Sequence, residues 1–268
     1  MTTPPAAADK SVGQGFGLRA RRAELLATPS AAAREPLLFA AALCRAQGGA
    51  AEALAGLSLT GSLEKDGALI EPAVREVFRA AAAHGPAPLA QEASVRSAEN
   101  SEILRTRLLV FWNGDRTAAD DYLSRAALRP YAEVLRSRRT APDRIHRQGH
   151  CPACGGPPGI ASRRDGSESE GAKRLLHCAL CGEQWTVNRI HCPSCFEEDP
   201  VKLPSFQADR HPTVRIEACD TCRRYVKSID LSTDARPIPE VDDLVSISLD
   251  LWANEKGYTR IEPGLAGL

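Results

Sequence analysis

Apolar residues recur in two regimes along the chain. From Leu18 to about Arg139 they return at helical intervals, and beyond Arg147 they give way to short runs between cysteines. Residues 1–16 mix Pro, Ala, Gly and Ser with no apolar period, so disorder is expected there. Arg19 to Ala27 reads as a first helix that stops before Pro29. Ser30 is placed to cap a second, in which Leu37, Leu38, Ala41, Ala42 and Arg45 stack until Gly48-Gly49 ends it. A third opens at Pro72, a good first-turn residue, and carries Val74, Val77, Phe78 and Ala81 up to His84-Gly85. A fourth runs from about Asn100 to Trp112 with Leu104, Leu108, Phe111 and Trp112 on one face. Thr117 with Asp120 resembles a capping box for a fifth, which holds Leu123, Ala127, Tyr131, Val134 and Leu135 and which Pro130 kinks or divides. The sum is an all-α domain of five or six helices over residues 17–146.

The basic, apolar-poor run Arg136 to Arg147 marks a boundary, after which eight of the nine cysteines form four C-x-x-C pairs. The pairs are Cys151/Cys154, Cys178/Cys181, Cys192/Cys195 and Cys219/Cys222. Cys151 to Cys192 is 41 positions, and so is Cys178 to Cys219, which makes the block two copies of one C-x2-C-x23-C-x2-C unit. Strands and loops are expected between the pairs, with Arg174-Leu175 and Arg215-Ile216 as equivalent strand entries. The implied lobes are 147–188 and 189–235, followed by a C-terminal segment 236–268 whose helix spans 242–256, opened by Asp242 and ended at Gly257. The fold class is thus α+β and multi-domain: helices first, two tandem metal ribbons next, a helix last.

Two C-x-x-C turns converge four sulfurs on one ion, a shell that suits zinc or a single iron. Pairing of successive turns is favoured because only then is the 41-residue repeat a structural unit; an interleaved cross-brace is the alternative. A closed four-sulfur shell leaves no position for substrate, and no glycine-rich phosphate loop or nucleophile with a base is present, so no enzyme is expected. Redox C-x-x-C motifs belong near a βαβ pattern, which this sequence lacks. Cys44 reads as a core residue, Trp185 as a cover for the first site, and His150, His177 and His191 as groups outside the shells. The run Glu197-Glu198-Asp199 reads as a solvated loop.

Charge and hydropathy narrow the partners. Lys plus Arg, 34, equals Asp plus Glu, 34, so no global field draws the chain to nucleic acid or an anionic membrane. Residues 155–177 hold four basic against three acidic groups and residues 196–218 three against five, unlike a nucleic-acid reader. No secretory signal or spanning segment is read from the sequence, so a cytoplasmic protein without membrane insertion is expected, its cysteines metal thiolates and not disulfides.

The runs CPACG, RLLHCALCGEQWTVNRIHCPSC, EACDTCRRYVKSID and DDLVSISLDLWANEKGYTR resemble the formate dehydrogenase accessory (maturation) proteins, the FdhE family, over about residues 147–262. Upstream, GLRARRAELLA and LLFAAALCRAQ resemble it in pattern. The resemblance implies two rubredoxin-like lobes holding iron as two mononuclear Fe(Cys)4 sites. The ligands would be Cys151, Cys154, Cys178 and Cys181 in one and Cys192, Cys195, Cys219 and Cys222 in the other. It further implies a cytoplasmic role in maturing respiratory formate dehydrogenase by binding its catalytic subunit. The residues by themselves leave zinc as the alternative ion. They also leave a rubredoxin-like electron-transfer or redox-sensing protein, or a zinc-ribbon interaction or nucleic-acid-binding protein, as alternative roles.

Overall fold

The computed structural model describes residues 5–114, 121–164 and 173–267, the first seven of these by backbone alone. They form two compact units, Met1–Ala27 with Leu37–Ile145, and Thr28–Pro36 with His146–Leu268.

The first unit holds α1 (Pro5–Ala27), most of α2 (Arg34–Leu54), α3 (Leu63–His84), α4 (Ala87–Ala98), α5 (Ser101–Trp112) and α6 (Tyr122–Ser137). Helix α1 begins at Pro5 and so corrects the expected disorder over residues 5–16; residues 1–4 lie outside the described residues. Val12, Phe16, Ala20, Ala23 and Ala27 make one buried stripe at helical spacing, and full burial of a side chain like Phe16 contributes about 1.5–3 kcal/mol. Gly48-Gly49 does not stop α2. A Cβ on Gly48 would stand 3.4 Å from the Phe16 Cβ and 3.5 Å from the Gly13 carbonyl, so the glycine lets α1 and α2 approach closely. That contact offsets the roughly 1 kcal/mol that glycine costs inside a helix. Ahead of α2, Ala31–Ala33 form a 3-10 turn, and Ser30 makes no side-chain cap.

Helix α3 starts nine residues before Pro72, which sits inside it. Its first turn is anchored by buried Asp66, which accepts from Thr60 N and Gly61 N at 2.9 and 3.0 Å and from the Tyr131 hydroxyl at 2.7 Å. Helix α4 has no counterpart in the sequence reading because its buried face is only Ala93 and Arg96. Helix α5 keeps the expected face, and the Asn100 side chain caps it by accepting from Glu102 N at 2.8 Å. The box expected at Thr117 and Asp120 lies outside the described residues; Asp121 caps α6 by accepting from Ser124 N at 3.1 Å. Pro130 does not divide α6, in which every residue from Leu123 to Leu135 is buried. This central helix pairs its buried charges, with Arg129 Nε and Arg19 Nη1 donating to Glu133 at 2.9 and 3.0 Å. The basic run after α6 is pinned to the same unit, because the Asp143 carboxylate accepts from the Trp112 indole at 2.7 Å and the Asp143 backbone N–H donates to the Gly61 carbonyl at 2.9 Å.

The second unit is built on one seven-stranded sheet, β1 (Pro158–Arg164), β2 (Lys173–Cys178), β3 (Gln184–Val187), β4 (Ser205–Gln207), β5 (Val214–Ala218), β6 (Arg224–Asp230) and β7 (Thr259–Arg260). The order is β3-β2-β1-β6-β5-β4, with β7 beside β6. Each lobe is an antiparallel three-strand meander, and the lobes join where β1 runs parallel to β6 with Ala161 opposite Ser228. Shifting the first lobe by the 41-residue repeat places β2 on β5 and β3 on β6, so both copies have the same strand order. Alternation on β5 turns Val214, Ile216 and Ala218 to one face, where Tyr225, Ile229, Leu249, Ala253 and Tyr258 complete a core.

The C-terminal helix expected over 242–256 is three pieces: α7 (Pro239–Asp242), a 3-10 turn Asp243–Ser246, and α8 (Ile247–Glu255). The buried Lys227 ammonium explains the break, for it donates to the Asp243 and Ser246 carbonyls at 3.0 and 3.1 Å, which a continuous helix would give to its own amides. Termination at Gly257 holds: it has φ +78°, donates to the Asn254 carbonyl, and Tyr258 N reaches the Ala253 carbonyl at 2.9 Å. Among the described residues no helix is long and apolar enough to cross a membrane.

Candidate metal centres

Each C-x-x-C pair is a turn held by the same two backbone bonds. The first cysteine N–H donates five residues ahead, from Cys151 to Gly156, Cys178 to Glu183, Cys192 to Glu197 and Cys219 to Arg224, at 2.8–2.9 Å. Its carbonyl in turn accepts from the residue after the second cysteine, Gly155, Gly182, Phe196 or Arg223, at 2.9–3.2 Å. Closing the turn requires positive φ at that residue, and all four have it, between +58° and +69°. The first lobe uses glycine at both places. The second uses Phe196 and Arg223, where a Cβ costs about 1–2 kcal/mol.

These turns bring the sulfurs into two clusters, Cys151/Cys154/Cys178/Cys181 and Cys192/Cys195/Cys219/Cys222, within 4.8 Å of one another in each. Successive turns are therefore the ones that meet; the interleaved arrangement is not formed. Closest approaches are 3.6 Å for Cys151–Cys181, 3.4 Å for Cys154–Cys178, 3.7 Å for Cys192–Cys222 and 3.6 Å for Cys195–Cys219. A tetrahedral shell with metal–sulfur bonds of about 2.3 Å has edges of about 3.8 Å, so both clusters have the size of a four-sulfur site. As bare thiols they are poorly satisfied. Hydrogen bonds from Cys154, Cys178 and Cys181 hold Cys151 far below the thiol range, while burial pushes Cys178 well above it. Burial also pushes Cys192 and Cys222 up. A bound cation removes this conflict by accepting four thiolates at once.

The surroundings of the two clusters differ. All four sulfur-bearing residues of the first are buried, and Gly156 passes over them so closely that a Cβ there would lie 2.9 Å from Cys178 Sγ. Leu180 seals the knuckle beside it. In the second cluster Cys195 and Cys222 are half-buried. The residue equivalent to Leu180 is exposed Thr221, whose hydroxyl donates to Glu197 at 2.6 Å. A crevice of about 70 Å³ beside Cys192 and Cys219 is lined by Arg163, Arg174, Arg189 and Arg224 against the single carboxylate of Glu217. Arg163 and Arg174 each pair with that carboxylate at 2.8 Å.

The histidines flanking the cysteines belong to neither cluster. His150 Nδ1 lies 2.9 Å from the Gly155 carbonyl, His177 Nε2 lies 2.7 Å from Ser162 Oγ, and His191 packs on Phe196 with ring centroids 5.4 Å apart. Cys44 is buried in α2. Trp185 packs against Ala161, Leu176 and Val226. Glu197 in the acidic run turns inward to accept from Thr221 and Asp199 N. The sequence reading missed one buried network, in which Lys227 pairs with Asp243 and Asp250 at 2.8 and 2.6 Å and Arg260 with the same carboxylates at 3.0 and 3.2 Å. Asp243, Asp250 and Arg260 lie 16 to 33 positions beyond Lys227 with no shared pattern to mark them.

Comparison with known proteins agrees with this architecture. Residues 150–189 match the model of the FdhE central domain and residues 190–265 that of the FdhE C-terminal domain. A protein FdhE homolog of Aquifex aeolicus is 35% identical over 118 residues, 44% of this chain and 41% of the relative. One of Pseudomonas aeruginosa is 37% identical over 119 residues, 43% and 38% of the two chains. One of Haemophilus influenzae is 31% identical over 172 residues, 64% and 50% of the two. The chain thus spans half or less of these curated relatives. The crystal structure of the FdhE protein from Pseudomonas aeruginosa shares the fold, with a TM-score of 0.66 over 93% of this chain and 94% of that one at 23% identity. Over residues 150–265 the chain thus matches the two cysteine-bearing domains of the FdhE family.

Proposed function

We propose that the protein is a cytoplasmic accessory factor that binds the catalytic subunit of a respiratory formate dehydrogenase during its maturation, and that its two clusters hold iron. Cys151, Cys154, Cys178 and Cys181 ligate one ion and Cys192, Cys195, Cys219 and Cys222 the other. The observation that carries this reading is the pair of closed four-sulfur shells on one sheet in a chain that matches the two cysteine-bearing FdhE domains. A ferrous or ferric ion in such a shell supplies a one-electron centre with no open ligand position. The chain's own residues fix the ligand geometry through the four knuckle turns and exclude water from the first centre. A binding role, as opposed to catalysis, is supported by the closure of both shells. Retention of a tagged formate dehydrogenase catalytic subunit on the immobilised holoprotein tests it. Capture that fails in both the oxidised and the reduced state of the clusters overturns the reading.

A further inference from the structure

The two centres are built on one repeat, so differences at equivalent positions report what each is for. At the positions between the paired cysteines the first lobe has Pro152-Ala153 and Ala179-Leu180, and the second has Pro193-Ser194 and Asp220-Thr221. Apolar cover is thereby replaced with Ser194, Asp220 and Thr221, all exposed. The outcome at the sulfurs is direct: Cys154 and Cys181 are 2% and 0% exposed, whereas their equivalents Cys195 and Cys222 are half-buried. The turn-closing glycines Gly155 and Gly182 become Phe196 and Arg223 with φ +66° and +58°, so the second site holds its ligands on turns whose left-handed backbone carries a side chain at a steric cost. The arginine crevice borders the second site at its buried pair, Cys192 and Cys219. Access from solvent is one of the features that separate reactive cysteines from inert buried ones, and in the second site it belongs to Cys195 and Cys222.

We propose that the two centres divide their roles: the Cys151/Cys154/Cys178/Cys181 site is a permanent structural pin, and the Cys192/Cys195/Cys219/Cys222 site is the exchangeable, thiol-reactive centre, entered through Cys195 and Cys222. Its ligand class is a thiolate-binding metal cation taken up from solvent and released to it. Chelators and electrophiles reach the outer two sulfurs, and once one metal–sulfur bond is lost the remaining three follow. This division is independent of any client and rests only on both sites being metallated.

The test uses the full chain carrying two metal equivalents. It is mixed with excess EDTA and sampled with iodoacetamide pulses, in which a cysteine sulfur displaces iodide to form a thioether. Metal release is followed in parallel, and labelled peptides are read by mass spectrometry. One equivalent is expected to leave at least tenfold faster than the other, with Cys195 and Cys222 labelled first and none of the first four cysteines labelled in that phase. Release in a single phase with all eight sulfurs labelled together, or first labelling at Cys151 to Cys181, overturns the proposal. The variant Cys195→Ser with Cys222→Ser is expected to keep one equivalent and show only the slow phase. Retention of the fast phase, or loss of both equivalents, contradicts the division.

Discussion

The helical unit and the sheet unit are stabilised by different means. Around α6 the helical unit buries Phe16, Leu37, Phe78, Leu104 and Tyr131, and among its described residues there is no metal-ligating cluster. In the sheet unit the residues between the first and last cysteine supply few large side chains; Tyr225, Leu249 and Tyr258, all beyond Cys222, close its core from one side. The cysteine clusters therefore pin what packing leaves loose, and the C-terminal segment supplies the apolar cover that the repeat itself lacks. The lesson is that a metal ribbon repeated twice still needs borrowed side chains to make a sheet with a face.

Four perturbations break or sharpen that contrast, from the largest expected effect to the smallest. Stripping metal removes on the order of 10 kcal/mol or more per structural site and is expected to expose the region from Cys151 to Cys222 to protease while helix content is retained. Unchanged strand content and protease resistance after chelation would mean that packing alone holds the sheet. Next is Lys227→Met, which leaves two buried carboxylates with Arg260 as their remaining cation and should cost about 3–5 kcal/mol in the sheet unit. Denaturant melts of the holoprotein check it, with the helical transition expected to stay where it was. Phe16→Ala reverses the pattern: a loss of about 3–5 kcal/mol in the helical unit with metal content intact. Metal loss in that variant would show the units to be less separable than described. Smallest is Asn100→Ala, which removes the α5 cap for about 0.5–2 kcal/mol.

Acid acts on the buried network of the sheet unit. Burial alone would raise the Asp243 carboxyl, but Arg260 and Lys227 outweigh it and hold it below the ordinary range. A depressed folded value means that this contribution is complete above about pH 4 and is lost as the pH falls through the folded value. Melts of the sheet unit at falling pH should show the loss, and Asp243→Asn should flatten that slope.

Much of this was legible in the sequence, for identifiable reasons. Cysteine spacing carried the clusters, because C-x-x-C is a local turn and the 41-residue interval reports the pairing directly. Large apolar residues carried α5 and most of α6. Where small residues do the packing the pattern fell silent: α4 buries only alanine and an arginine, and α1 starts near residue 5 because its core stripe is mostly Ala. Gly48 misled since a glycine inside a helix can serve a close crossing as well as an end. Pro72 and Pro130 misled for the complementary reason, tertiary burial outweighing one lost hydrogen bond. The broken C-terminal helix was unreadable because its cause, Lys227, lies 16 residues before the Asp243 carbonyl it binds.

The proposed reading places one iron ion in each of the two four-cysteine clusters on the sheet. Metal analysis with visible absorption spectroscopy of the chain purified without oxygen tests it most directly. Coloured protein with two iron equivalents per chain is expected, both lost when the eight clustered cysteines are replaced by serine. Colourless protein with two zinc equivalents would contradict it.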